Sequence, residues 1–255
     1  MHSTNFSTAL AGVVLTASSF SLNAAIIRVA EVDFLAGAGL ITFSEFALGT
    51  ANPTYAPGAY GGAAGDPTVT FDGWFTGQSL SGTPGVDCPG AAPSACIVGS
   101  PTGPLSLDAA SPDTFIAADG ANPTSPVLSG TPIYNGGIAI LFDIDQFGVG
   151  FDGGFFDAPS STAITAFARD GTLLGSVSND ALGIEFLGLV SDDVGIAGVF
   201  LDLVGAEPAG FAVDNIRFGE RGDIDIGNPV PEPSSLVLLG LGLAGLSFSR
   251  KKKAS

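Results

Sequence analysis

The sequence predicts an all-β fold, an antiparallel β-sandwich or jelly roll, between an N-terminal signal helix and a C-terminal apolar helix. Short apolar runs alternate with clusters of Gly, Pro, Asn and Asp, and the chain contains 37 Gly and 17 Pro. Nineteen Phe and many Val, Ile and Leu supply a core, whereas helix-forming Lys, Gln and Met are scarce. The 255 residues accommodate one domain of about 200 residues once both ends are set aside.

Residues 1–25 predict a secretory signal peptide. An apolar stretch from Ala9 to Leu22 precedes the small residues Ala24 and Ala25, near which we expect cleavage. The segment before that stretch has no Lys or Arg, so a buried N-terminal helix is the alternative. Export would place the body of the chain outside the cytoplasm.

Residues 26–220 predict the β-domain. Ile138, Ile140, Phe142 and Ile144 alternate with polar residues, as a half-buried strand requires, and 197–203 repeats the pattern with Ala197, Val199, Leu201 and Leu203 inward and Asp202 outward. Asp170-Gly171 is a hairpin signal between two of the runs. The candidate strands are 26–34, 40–46, 68–75, 138–144, 147–151, 162–169, 172–177, 184–190, 196–204 and 211–218.

Residues 76–136 contain few bulky apolar side chains and many Pro, Gly, Ser and Ala, which predicts a long loop region. Cys88 and Cys96 are the only cysteines. In an oxidising compartment they would form a structural disulfide that pins this loop; the alternative is a pair of free thiols.

Charge and composition exclude several classes of function. The formal net charge is −17, and the body before the tail has four arginines and no lysine, so nucleic acid and anionic lipid are not expected partners. The only histidine is His2, which removes Ser-His-Asp and Cys-His catalysis from the mature region. A glycoside hydrolase with two carboxylates is the remaining enzymatic alternative, and we expect no catalysis.

The chain ends in a linker, 221–230, and a tripartite segment, 231–255. Pro231-Glu232-Pro233 precedes the uncharged apolar stretch 234–249, which makes about 24 Å of helix, less than the about 30 Å of a bilayer core. A basic tail follows and would stay cytoplasmic: Arg250, Lys251, Lys252 and Lys253. The Arg-Gly-Asp at 221–223 is expected to be a solvated turn.

This tripartite end resembles the PEP-CTERM sorting segment. The resemblance implies a protein that a Gram-negative bacterium exports, holds transiently in its inner membrane through 234–249, and passes to an exosortase, a membrane cysteine transpeptidase. It also implies a cell-surface or exopolysaccharide-matrix location and a link to biofilm.

The body resembles the recurrent β-domain of exported PEP-CTERM proteins in 149–179, 183–189 and 195–219, with 41–55 as its opening strand and turn. That domain is similar in layout to jelly-roll carbohydrate-binding modules. The resemblance implies, as the alternative to a structural matrix protein, a module that attaches to extracellular polysaccharide.

Two groups of residues are candidates for binding. Trp74, the only tryptophan, would stack on a sugar or belong to the core, and Tyr55, Tyr60 and Tyr134 lie in loop-like contexts with the same two interpretations. Asp214 lies in an apolar strand, where a carboxylate must be paired, hydrogen-bonded or metal-bound. The jelly-roll resemblance implies a structural calcium ion that Asp214 shares with Glu45; otherwise Asp214 accepts backbone N–H groups. No cofactor is required.

Overall fold

The computed structural model describes residues 26–120 and 125–227, and these residues form β-strands joined by turns and longer loops. The strands are β1 (Ile26–Val29), β2 (Gly39–Ile41), β3 (Thr54–Tyr55), β4 (Val69–Asp72), β5 (Gln78–Leu80), β6 (Ile97–Gly99), β7 (Phe115–Ala118), β8 (Pro126–Ser129), β9 (Ile138–Gln146), β10 (Gly148–Phe156), β11 (Thr162–Phe167), β12 (Leu173–Ser178), β13 (Gly183–Ser191), β14 (Ile196–Leu203) and β15 (Ala212–Gly219). One helical turn, α1, covers Pro84–Asp87, and 3₁₀ turns cover Glu31–Asp33, Pro57–Ala59, Pro93–Ala95 and Arg221–Asp223.

The strands form two antiparallel sheets and one separate hairpin. The first sheet has the order β1-β13-β10-β15-β8-β7, and β2 also pairs with β15. The second sheet has the order β12-β11-β14-β9-β4-β3, and β5 pairs with β6. The predicted all-β, antiparallel character is therefore confirmed, and the jelly-roll connectivity stays a prediction.

Both sheets contribute to one main core, as two facing sheets of a sandwich do. From the first sheet come Val149, Phe151 and Phe218, which are buried in the same cluster as Ile140 and Phe142 of the second sheet. Aromatic side chains fill much of the space. The rings of Phe142 and Phe218 lie 5.4 Å apart, so a contact between β9 and β15 joins the two sheets directly.

All ten predicted strands overlap an observed one, but two details of the alternation are wrong. Ile144 is 42% exposed, and Ala197 packs in a second cluster on the outer face of its sheet rather than in the main core. The cause is irregular pairing, because the register of β9 and β14 shifts between Ile196 and Gly198. Such an irregularity interrupts the alternation of side chains between the two faces.

The long loop region predicted over 76–136 also contains short strands and core residues. This region contains β5 to β8, and Ile116 and Leu128 from it are fully buried in the main core. Another part covers the outer face of the second sheet, where Ile97 and Leu105 pack with Phe200 of β14. The second sheet is therefore apolar on both faces, and the Pro/Gly-rich region is needed to cover it.

The predicted disulfide is present in this region. Cys88 and Cys96 are bonded at an S–S distance of 2.03 Å, and both belong to the main core. The loop that they close also contacts a distant segment, because the backbone N–H of Ala92 donates to the carbonyl of Glu207 at 3.2 Å.

The domain continues beyond the predicted boundary at residue 220. Ile224 is buried in a small cluster with Phe34 and forms an isolated bridge with it. The Arg-Gly-Asp sequence forms a 3₁₀ turn whose Arg221 pairs with Asp192 at 3.0 Å, so it is tied to the domain surface.

Both predicted terminal segments, the signal peptide at 1–25 and the apolar stretch at 234–249, lie outside the described residues. Within 26–120 and 125–227, no helix has the length and apolar character needed to cross a membrane.

Candidate functional site

A cavity of about 500 Å³ opens where β10 and β15 lie side by side in the first sheet. Its walls come from five parts of the chain: the end of β10, the start of β15 with the residues before it, the turn that contains Tyr134, the start of β13, and residues next to and within β7 and β8. The side chains that matter below are those of Tyr134, Asp152, Phe155, Ile184, Asp214 and Asn215.

Two of the carboxylates that line the cavity come from neighbouring strands. Asp152 of β10 and Asp214 of β15 are directly opposite each other in the antiparallel register. Asp214 accepts hydrogen bonds from the hydroxyl of Ser125 at 2.8 Å and from the backbone N–H of Asn215 at 2.7 Å. The Asn215 amide donates to Asp152 at 2.8 Å, so Asn215 links the two acids.

Asn215 makes these contacts from a left-handed backbone conformation with φ of 48°. Asn tolerates this region better than most residues do. The interpretation of Asp214 as a carboxylate that accepts backbone N–H groups therefore describes one of its two hydrogen bonds, and the hydroxyl of Ser125 supplies the other.

The electrostatics of the pair follow from partial burial. Burial raises the pKa of Asp214 to about 6, the hydrogen bonds from Ser125 and Asn215 oppose this rise, and the charges of Asp152 and Asp119 add to it. Burial also raises the pKa of Asp152, and the hydrogen bond from Asn215 opposes that change. Near neutral pH the cavity therefore carries a negative charge that is costly to keep partly out of water.

Part of the cavity lining is apolar. Phe155 is 60% exposed and Ile184 is 56% exposed, while the half-buried Tyr134 donates its hydroxyl proton to the carbonyl of Ala118. The backbone at Gly210 passes close to Tyr134 and requires glycine, because its φ is 81° and a Cβ there would lie 1.8 Å from the Tyr134 carbonyl oxygen. The cavity thus combines hydrogen-bond acceptors with exposed apolar surface.

Sequence reasoning found Asp214 and Tyr134 but missed Asp152, Phe155 and Ile184. One signal was available: Phe155 and Phe156 are consecutive in a strand, so period two must turn one ring outward. Phe156 is buried and Phe155 is the exposed one. No sequence signal places Asp152 opposite Asp214, because that depends on the pairing of β10 with β15.

Glu45 has surroundings of its own. One carboxylate oxygen accepts from the backbone N–H and hydroxyl of Thr42, at 3.1 and 3.0 Å, and the other is buried without a hydrogen-bond partner. Glu45 is not among the residues that line the cavity of Asp214. In the parts of the chain that the structure describes, no three His, Cys, Asp or Glu side chains form a group able to hold a metal ion. The shared calcium ion therefore stays a prediction.

Trp74 is partly buried and packs against the cluster that covers the outer face of the second sheet, which includes Phe75 and Phe200. Tyr55 is fully buried, and Tyr60 packs its ring on Phe218 at 5.2 Å. Among the four aromatic candidates from the sequence, only Tyr134 lines the cavity.

A further carboxylate that the sequence did not single out is fully buried. Glu207 accepts from the hydroxyl of Ser161 at 2.7 Å and from the backbone N–H of Asp157 at 3.2 Å. Burial raises the pKa of Glu207 to about 7, although both hydrogen bonds favour the ionised form. Its carbonyl holds the disulfide loop, so Glu207 joins three segments of the domain.

Comparison with known proteins bears on the C-terminal end of the chain. A family model described as the PEP-CTERM protein-sorting motif matches residues 229–251. The chain carries a PEP-CTERM sorting motif. No curated protein and no solved structure matches the sequence or the fold.

The PEP-CTERM match includes Pro231, Glu232 and Pro233, the apolar stretch 234–249 and the start of the basic tail. The motif implies export, transient anchoring in a membrane and processing by an exosortase. All of these residues lie outside the described ranges.

Proposed function

We propose that this protein is a non-catalytic component of the surface or exopolysaccharide matrix of a Gram-negative bacterium, which an exosortase releases from the inner membrane. The observation that carries the proposal is the sorting motif at 229–251, which follows a folded β-domain in the same chain. The matched segment ends in the basic tail that would hold the protein until it is cut.

Two features of the domain support a location outside the cytoplasm. The disulfide between Cys88 and Cys96 is typical of proteins in oxidising compartments. Each of the four arginines within the described ranges is ion-paired with an acidic side chain, so the remaining surface is strongly acidic. Such a surface favours solubility and disfavours binding to anionic lipid or nucleic acid.

The test compares the native host with a strain that lacks its exosortase. Wild-type protein should reach the cell surface or medium in the first strain and remain in the inner membrane fraction in the second. A Glu232→Ala variant should also remain in the membrane, whereas Glu220→Ala, which changes an exposed acid of the domain, should be released normally. Equal release of wild type from both strains would contradict the proposal.

A glycoside hydrolase is the second candidate, and one observation favours it. Asp152 and Asp214 face each other in a cavity, and the pKa of Asp214 is raised to about 6, as a general acid requires. Release of reducing sugar from a panel of polysaccharides, abolished by Asp214→Asn, would favour the hydrolase. Absence of release together with normal sorting supports the non-catalytic protein.

A further inference from the structure

We propose that the cavity between β10 and β15 binds pyranose units of a neutral polysaccharide, with Phe155 and Ile184 against the sugar ring and Asp152 and Asp214 accepting from its hydroxyls. This deepens the proposed function, since the ligand would be a polysaccharide of the matrix. The volume of about 500 Å³ lies within the about 300–1,000 Å³ that small-molecule sites occupy.

The apolar wall supplies the first part of the argument. A pyranose ring has one face of C–H groups, which packs on an aromatic ring. Phe155 and Ile184 are both more than half exposed on the wall of the same cavity, and exposed apolar groups that cluster at a cavity are typical of binding sites.

The acids that line the same cavity supply the second part of the argument. A carboxylate can accept about four hydrogen bonds, and Asp214 accepts one at each oxygen from the protein. Both oxygens therefore retain acceptor capacity toward the cavity. Sugar hydroxyls on neighbouring carbons present paired donors that suit such a group, and the Asn215 link keeps Asp152 in position beside it.

Charge selects against acidic sugars. Asp119, Asp152 and Asp214 all line the cavity, and none of its lining residues is a lysine or arginine. Arg217, whose charge acts on Asp152, forms its ion pair with Glu31 at 2.7 Å. A uronate would bring a further negative charge into this surrounding, so neutral sugars are the class that fits.

The test is isothermal titration calorimetry on the full-length protein in a zwitterionic detergent without a sugar headgroup. The probes are tetrasaccharides of β-1,4-glucose, β-1,4-mannose and α-1,4-glucose, with a tetramer of α-1,4-galacturonate as the acidic counterpart. We expect at least one neutral tetramer to bind with a Kd below about 1 mM and the uronate to bind at least about tenfold more weakly.

The variants separate the two halves of the site. Phe155→Ala should weaken binding about fivefold to tenfold, since it removes exposed stacking surface and leaves the core intact. Asp214→Asn should weaken it about tenfold or more, because hydrogen bonds to a charged acceptor are stronger than those to a neutral amide. Leu173→Ala, which changes a side chain equally exposed on the second sheet, is the matched control and should leave the Kd unchanged.

Several outcomes would overturn the proposal. They are no measurable binding of any neutral tetramer, binding that Phe155→Ala leaves unchanged, or uronate binding as tight as that of the neutral sugars. The Kd of Phe155→Ala tests the proposal even where Asp214→Asn fails to fold. Each of these failures leaves the sorting of the protein intact, so it is distinguishable from failure of the proposed function.

Discussion

Replacement of the buried acid by its amide, Glu207→Gln, should make the stability of the domain less dependent on pH. Glu207 is fully buried, and its carboxylate touches the hydroxyl of Ser161 and the backbone N–H of Asp157. A glutamine can accept both hydrogen bonds through its amide oxygen and carries no charge. The substitution therefore removes the ionisation while it keeps the size and the acceptor.

The expected magnitude follows from the raised pKa. Between the ordinary value of 4.5 and the value of about 7 in the folded domain, the unfolded chain loses its proton at Glu207 while the folded protein retains it. The contribution of Glu207 to stability is therefore greatest below pH 4.5, falls as the pH rises through this window, and is constant above it. At 1.36 kcal/mol per pH unit, the loss is about 3 kcal/mol.

Urea unfolding of wild type and variant, measured from pH 4.5 to pH 8.5, provides the assay. We expect Glu207→Gln to match wild type within about 1 kcal/mol at pH 4.5 and to exceed it by about 3 kcal/mol at pH 8. Glu220→Gln, at an exposed position, is the control and should show no such divergence. A constant difference between the Glu207→Gln and wild-type curves at all pH values would refute the reasoning.

Three further predictions concern the remaining candidate residues. Replacing Cys88 and Cys96 by Ser should lower the free energy of unfolding by about 2–3 kcal/mol, measured with urea, because the bond closes a short loop; an unchanged midpoint would contradict this. If Glu45 and Asp214 share calcium, millimolar calcium should raise the melting temperature of chelator-treated protein, since a hundredfold excess over Kd adds about 2.7 kcal/mol to the free energy of unfolding. Asp214→Ala should abolish this rise, and identical melting curves with and without calcium would exclude the ion. Trp74→Ala should destabilise the domain by about 2–3 kcal/mol because Trp74 packs on a buried cluster, and loss of polysaccharide retention at full stability would instead show a binding role.

The parts of the fold that could be predicted are those with a clear period of two. Ile138, Ile140 and Phe142 alternate in the sequence, and all three are buried in β9 as expected. The alternation fails where neighbouring strands lose register, as at Ile144, because a bulge depends on the partner strand and leaves no local signal.

The strands within 76–136 were missed for a different reason. They are three or four residues long and lie among Pro, Gly and Ser, so their apolar residues are too few to show a period. Ile116 and Leu128 are buried because the rest of the core surrounds them, and that packing is decided by tertiary contacts.

The residues of the candidate site also divide into those that the sequence could predict and those that depend on tertiary contacts. Asp214 could be singled out because a carboxylate within an apolar strand needs a partner. Its partner in the cavity, Asp152, comes from a strand far away in the sequence, and the predicted link to Glu45 rested on resemblance alone. Glu207 lies in a Gly- and Pro-containing turn that predicts exposure, and only the packing of three segments around it produces its burial.

The central claim is that the chain is exported and processed at its C-terminal motif, and intact mass spectrometry tests it most directly. Protein extracted from the surface of the native host should lack about the first 24 or 25 residues and also the basic tail from Arg250 onward. The same protein from a host without exosortase should retain the tail. The claim would be contradicted if most of the surface protein still carried Lys251 to Ser255.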